Sequence, residues 1–167
     1  MRKFLPVFGL MCLLVAAGLG DEANGLLLTA QKTVLDRSKD RDAFGDWARV
    51  EKALALKVIA TNTSMTDMPE GTITCTIVVR RWGHSPPLYE AYTDTQPFPP
   101  LKASAEARLT LGKVKMSGYE TTNNRREFQD SIEGWQIVVK HGDVETLKMT
   151  STSEYDKLLG EANEEKK

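Results

Sequence analysis

Cysteine is almost missing from this chain. Of its 167 residues only Cys12 and Cys75 are cysteines. Cys12 lies in the apolar N-terminal segment, so a chain processed there keeps one thiol and cannot close an internal disulfide. The fold must then stand on burial alone, with Cys75 read as a buried small hydrophobe on the apolar parity of a strand. Histidine is as scarce, with His84 and His141 alone. Neither sits in a nucleophile elbow or beside a readable hydroxyl–carboxylate pair, so no nucleophile, base and orienter can be assembled and the chain reads as a non-enzyme. Glycine-rich phosphate loops are also missing; Gly112 and Gly118 are isolated, and no cofactor is implied. No strong net charge exists either, at −1 over the whole chain. That argues against a nucleic-acid binder.

One long apolar run is present, at the N-terminus. Arg2 and Lys3 precede an uncharged stretch from Phe4 to Gly20, closed by small residues at Ala16, Ala17, Gly18 and Gly20. This order is that of a secretory signal peptide, with the cut expected before Asp21 and a cut after Ala17 or Gly18 as the alternative. The Cys12 lipobox fails because Met11 occupies the small-residue position. Pro6 and the short length disfavour an uncleaved anchor. Removing residues 1–20 takes Lys and Arg from 22 to 20 against 23 Asp and Glu, near −3, and leaves 147 residues, one domain's worth. No second long apolar run follows, so the mature chain is expected to lack a transmembrane segment. The expected location is exported, periplasmic or secreted.

The mature chain reads as short strands. Residues 21–25 are polar and expected to fray. Leu26–Leu35 suits a first strand, though a short helix also fits, and 36–46 is a dense charged loop; together 21–46 form an N-terminal strand and loop. From Trp47 the period becomes two: Leu54, Leu56, Val58 and Ala60 share one parity. Ile73, Cys75, Ile77 and Val79 alternate with Thr72, Thr74 and Thr76, a β-branched strand. Five of seven prolines fall between Pro86 and Pro100, so a strand over Leu88–Thr93 belongs at a sheet edge. Ala105, Ala107, Leu109 and Leu111 alternate, and Asn123–Asp130 is a polar connector. Trp135, Ile137 and Val139, a His141-Gly142-Asp143 turn and Val144–Thr150 make a hairpin. Tyr155, Leu158, Leu159 and Ala162 then recur at helical spacing within a C-terminal helix and tail over 153–167, with Ser151 and Ser153 as cap candidates. About seven strands along the mature chain suggest a mostly β, two-sheet sandwich of immunoglobulin or fibronectin III type, its domain set at 47–152, with a single-sheet α+β fold or a small barrel as the alternatives.

Leu56–Ser64, Met68-Pro69-Glu70-Gly71, Val78–Trp82 and Glu133-Gly134-Trp135 also carry a resemblance. Over residues 48–152 the chain resembles small uncharacterised exported bacterial proteins with an immunoglobulin-like domain. The resemblance implies the sandwich fold and export, and brings no activity and no catalytic residues.

Three groups of residues are candidates for chemistry. Tyr89, Tyr92 and Phe98 lie among the prolines, where rigid aromatic-bearing loops suit a protein or glycan partner. Met65 and Met68, with His84 from another loop, offer soft ligands for copper. Asp36, Ser38, Asp40 and Asp42 alternate like calcium ligands, but Arg41 and Trp47 occupy the EF-hand glycine and glutamate positions. Arg80-Arg81-Trp82 suits ordinary sandwich surface, with Trp82 and Trp135 as core fillers. Asn62-Thr63-Ser64 is a glycosylation sequon. The reading is an exported non-enzymatic binding or structural module, with copper or calcium handling as the alternative.

Overall fold

The structure is a computed structural model that describes residues 19–41, 47–121 and 127–164. The expected leader up to residue 18 and Asp42 of the calcium-like series lie outside the described residues. Nine strands and one helix follow in order: β1 (Leu19–Ala23), β2 (Leu26–Arg41), β3 (Trp47–Asn62), β4 (Gly71–Arg81), β5 (Leu88–Phe98), β6 (Glu106–Thr121), β7 (Glu127–Gln129), β8 (Ser131–His141), β9 (Val144–Thr150) and α1 (Tyr155–Glu164). They form two antiparallel sheets, β1-β2-β3-β6-β7 and β5-β4-β8-β9. The mostly β, two-sheet expectation holds, with nine strands instead of about seven.

The alternating residues meet between the sheets. Leu28, Leu56, Val58 and Leu111 from the first sheet pack on Ile73, Cys75, Ile77, Val79, Trp135, Ile137 and Val139 from the second. Outside the second sheet, α1 buries Tyr155 and Ala162 on Val78, with Leu158 and Leu159 beside Tyr89 and Ala91. The helix stripe read from the sequence therefore docks on its own domain. Its cap differs from expectation: the Thr152 hydroxyl accepts from Glu154 N–H at 3.3 Å. Ser151 instead accepts the Trp135 N–H at 2.8 Å, tying the helix approach to β8.

Two expectations are corrected at the N-terminus. Residues 21–23, expected to fray, pair with β2, and β1 begins at Leu19, two residues before the expected cut. The charged stretch Asp36–Arg41 is strand, not loop, because it pairs residue by residue with Ala48–Ala53. Its acids and bases alternate, so Asp36, Ser38 and Asp40 take one face and Arg37 and Lys39 the other. A strand cannot wrap such side chains around a calcium ion.

β2, β3 and β6 each run 16 residues, while β4, β5 and β8 run 11. At ~3.3 Å per residue the first sheet therefore projects past the second by about five residues. Two bulges mark the change. Leu35 is the extra residue on β2, and β6 carries one extra residue between Leu111 and Val114. Gly112 sits there at φ 63°, where a Cβ would come within 2.6 Å of the Ile77 side chain. A bulge adds twist and bends its strand. On the projecting part Glu120 is 2 % exposed beneath Arg37, Lys39 and Lys52. Burial favours a neutral Glu120, but the three cations outweigh it and hold its carboxyl below the ordinary range.

Candidate functional site

Four large aromatic side chains gather on and beside the projecting end of the first sheet. Trp47 lies on β3, Tyr119 on β6, Phe128 on β7 and Trp82 just after β4. Their rings form a continuous line: Trp47–Phe128 at 5.7 Å, Phe128–Trp82 at 5.6 Å and Trp82–Tyr119 at 5.9 Å between centroids. All four remain 37–46 % exposed. Trp135, by contrast, is 3 % exposed and fills the core as expected. Trp82, expected in the core, is corrected: it follows the last residue of β4, where the second sheet has already ended.

Asp130 holds this ridge in place. Its Oδ1 accepts the Trp82 N–H at 2.9 Å. Its Oδ2 accepts the Ser117 N–H at 2.9 Å and Arg81 Nη1 at 2.7 Å. One buried carboxylate thus fixes the backbone of Trp82, that of β6 two residues before Tyr119, and its own segment two residues after Phe128. Burial favours the neutral acid, but the Ser117 and Trp82 amides and Arg81 outweigh it and lower the Asp130 pKa. Arg81 extends the network. It donates through Nε to Glu90 at 2.8 Å and through Nη1 to the Lys115 carbonyl at 3.1 Å, and it also meets the Tyr92 hydroxyl. Its burial is outweighed by Glu90 and Asp130, which push its pKa up. The Tyr92 hydroxyl, then Arg81, lower Glu90.

These side chains also close a seam. β7 covers β6 only over Gly118–Glu120. Above it, Gln96 donates to the Thr110 carbonyl at 3.2 Å, Asp94 accepts Gly112 N–H at 3.0 Å, and Arg81 and Asp130 take Lys115 and Ser117. Polar residues on the inward row of β5 and at the ends of β4 and β7 satisfy a strand edge that no described strand pairs.

Beside the ridge is a cleft of about 840 Å³. Trp82 belongs to both, and Asp36, Ser38, Glu51, His84 and Lys115 are among the cleft's other lining residues.

The structure separates the aromatic residues singled out from the sequence. Phe98 is 1 % exposed in the main core. Tyr92 faces the same way and bonds Arg81 and Glu90. Tyr89 points to the opposite face, under α1. β5 is indeed an edge strand, yet these three side chains do not share a surface. The metal set is not assembled either. Met68 precedes β4 and His84 follows it, so ~33 Å of strand stands between them. Met68 is buried and bridged to Leu101, while Met65 is 93 % exposed. His141, not His84, lines the cleft that holds Met68. Among the described residues no three His, Cys, Asp or Glu side chains converge as ligands. His141 Nδ1 contacts the Thr146 hydroxyl at 2.6 Å, and its ring makes no hydrogen bond to a carboxylate among the described residues.

Asn62 of the sequon is fully buried. Its Nδ2 donates to the Thr66, Leu101 and Lys102 carbonyls at 2.8–3.1 Å, and its Oδ1 accepts from Ser64. It is a loop organiser, as a strand-end asparagine bonding its own turn should be.

No protein-family model matches the chain, and no curated protein matches it. Among solved structures, the solution structure of R. palustris CsgH aligns over 77 % of this chain and 97 % of that one, at 17 % identity and a TM-score of 0.26. Among the described residues no helix is long and apolar enough to cross a membrane.

Proposed function

We propose that this protein is an exported, non-enzymatic binding module that engages its ligand through the ridge Trp47–Phe128–Trp82–Tyr119. The observation that carries the reading is the contiguous exposure of four aromatic side chains in ring contact, whereas the other exposed large apolar residues, Val34, Leu35, Met65 and Val144, carry no ring. Scattered exposed apolar residues need no function, but a contiguous patch marks an interaction site. The ridge costs a soluble protein colloidal stability, and a buried acid is spent on holding it. The proline-rich edge is replaced as the binding face, because its aromatics serve the core and the helix. Export rests on the N-terminal segment, and places the module in the periplasm or outside the cell.

The strand order supports an immunoglobulin-like assignment. With β2, β3 and β6 as strands A, B and E, and β5, β4, β8 and β9 as C′, C, F and G, the two sheets follow the A-B-E and C′-C-F-G neighbours of that fold.

The test is a benzophenone side chain placed at Tyr119 in the native host, with Lys148 on β9 as the comparison. The expected result is a discrete adduct of raised mass from position 119 and none from 148. No adduct, or equal adducts from both positions, contradicts the reading.

A further inference from the structure

We infer that the ligand of this surface is an uncharged glycan, seated with sugar faces on the ridge and hydroxyls in the cleft beside it. The inference rests on the binding-module reading and adds the chemical class.

Three observations select it. The first is the junction at Trp82, which is a ring of the ridge and a wall of the cleft at once. A sugar ring presents an apolar C–H face and a polar rim, so it needs an aromatic surface and hydrogen-bonding groups side by side. The second is the state of those polar groups. The side chains of Asp36, Ser38, His84 and Lys115 line the cleft and make no hydrogen bond or ion pair with any described residue. They offer an acceptor, a hydroxyl, an imidazole and a donor, the mixture that vicinal hydroxyls satisfy.

The third observation is charge. Arg81 is shared between Glu90 and Asp130, which leaves one negative charge uncompensated there, and Glu51 pairs with Arg49 at 3.0 Å. Lys52 reaches Glu120, and that leaves Asp36 set against Lys115. The lining, with four acids against Lys52, Arg81 and Lys115, lacks the cationic excess that phosphate polymers and acidic polysaccharides require. It is also too polar for an acyl chain. The cleft, about 840 Å³, lies within the ~300–1,000 Å³ of small-ligand sites and opens onto the ridge, which suits several linked sugars.

The test is tryptophan emission of the processed protein, titrated with neutral hexasaccharides of β1,4-glucose, α1,4-glucose, N-acetylglucosamine and xylose, with heparin as the anionic comparator. The expected result is a saturable change with at least one neutral hexasaccharide that persists at high salt. Trp82→Ala and Asp36→Asn should each weaken it by about tenfold or more, and Asp36→Asn should leave the unfolding midpoint in place. Binding of heparin alone, abolished by salt, overturns the inference. So does silence from all four neutral sugars. If the Tyr119 adduct then forms with a protein, the binding reading stands and only the glycan assignment fails; if no adduct forms, both fail.

Discussion

Arg81 Nη1 and Asp130 Oδ2 lie 2.7 Å apart, and that contact joins the end of β4 in one sheet to the residue that follows β7 in the other. The same Asp130 carboxylate holds the amides of Trp82 and Ser117. Fold closure and placement of the aromatic ridge therefore depend on one buried acid.

Removing it should be costly. Asp130→Ala leaves Arg81 without one of its two carboxylates and two amides without their acceptor. A loss of about 3 kcal/mol is expected in chemical denaturation, the range for breaking a buried pair from one side. An unchanged midpoint would show that the seam is not held by this contact.

The acids also set the pH dependence. Asp130 and Glu120 both have folded pKa values below their ordinary ones. In the unfolded chain such carboxyls titrate near ~4. Their contribution is therefore complete above that pH and is lost as pH falls through the lower folded values. Melting temperature should stay level from about pH 7 to about pH 5 and drop below about pH 4. Asp130→Asn should flatten the acid limb. A limb of equal steepness in the variant would assign the transition to other groups.

Cys75 is buried against Gly112, and burial, with Asp94 nearby, pushes its thiol up to about 12. The native protein should not react with a thiol reagent at mild alkaline pH, and one equivalent should react on unfolding. Rapid labelling of the native state would place the thiol at the surface.

Phe98 and Trp82 should part company on truncation. Phe98→Ala opens the core and should cost about 3–5 kcal/mol. Trp82→Ala loses ring pairs worth roughly 0.5–1.5 kcal/mol each and should leave a cooperative fold. Equal costs would return the two aromatics to the same role and weaken the distinction between core and ridge.

Much of this architecture is legible in the sequence because period two is a local signal. Ile73-Cys75-Ile77-Val79, the hairpin around Gly142 and the stripe Tyr155-Leu158-Leu159-Ala162 declare themselves within a few residues. Asp36–Arg41 misleads because high charge density reads as loop. Its alternation of Asp36, Ser38 and Asp40 with the bases Arg37, Lys39 and Arg41 is the available sign of a strand. The bulge at Gly112 shows as an interrupted alternation, but what fills the space, Ile77 and Cys75, comes from the other sheet. The ridge is the least legible feature. Trp47, Trp82, Tyr119 and Phe128 stand on four separate segments, and only the overshoot of β3 and β6 past β4 leaves them uncovered. Strand length past the partner sheet is a tertiary property. So is the burial of Glu120, which needs Arg37, Lys39 and Lys52 from two other strands.

Display of Trp82 and its neighbours for a ligand is the proposal from which the others follow. It is tested most directly by the Tyr119 benzophenone adduct, formed in the native host in the presence and absence of Trp82→Ala. The adduct should disappear in the variant while the melting transition remains cooperative. An adduct of undiminished yield without Trp82 would contradict the proposal.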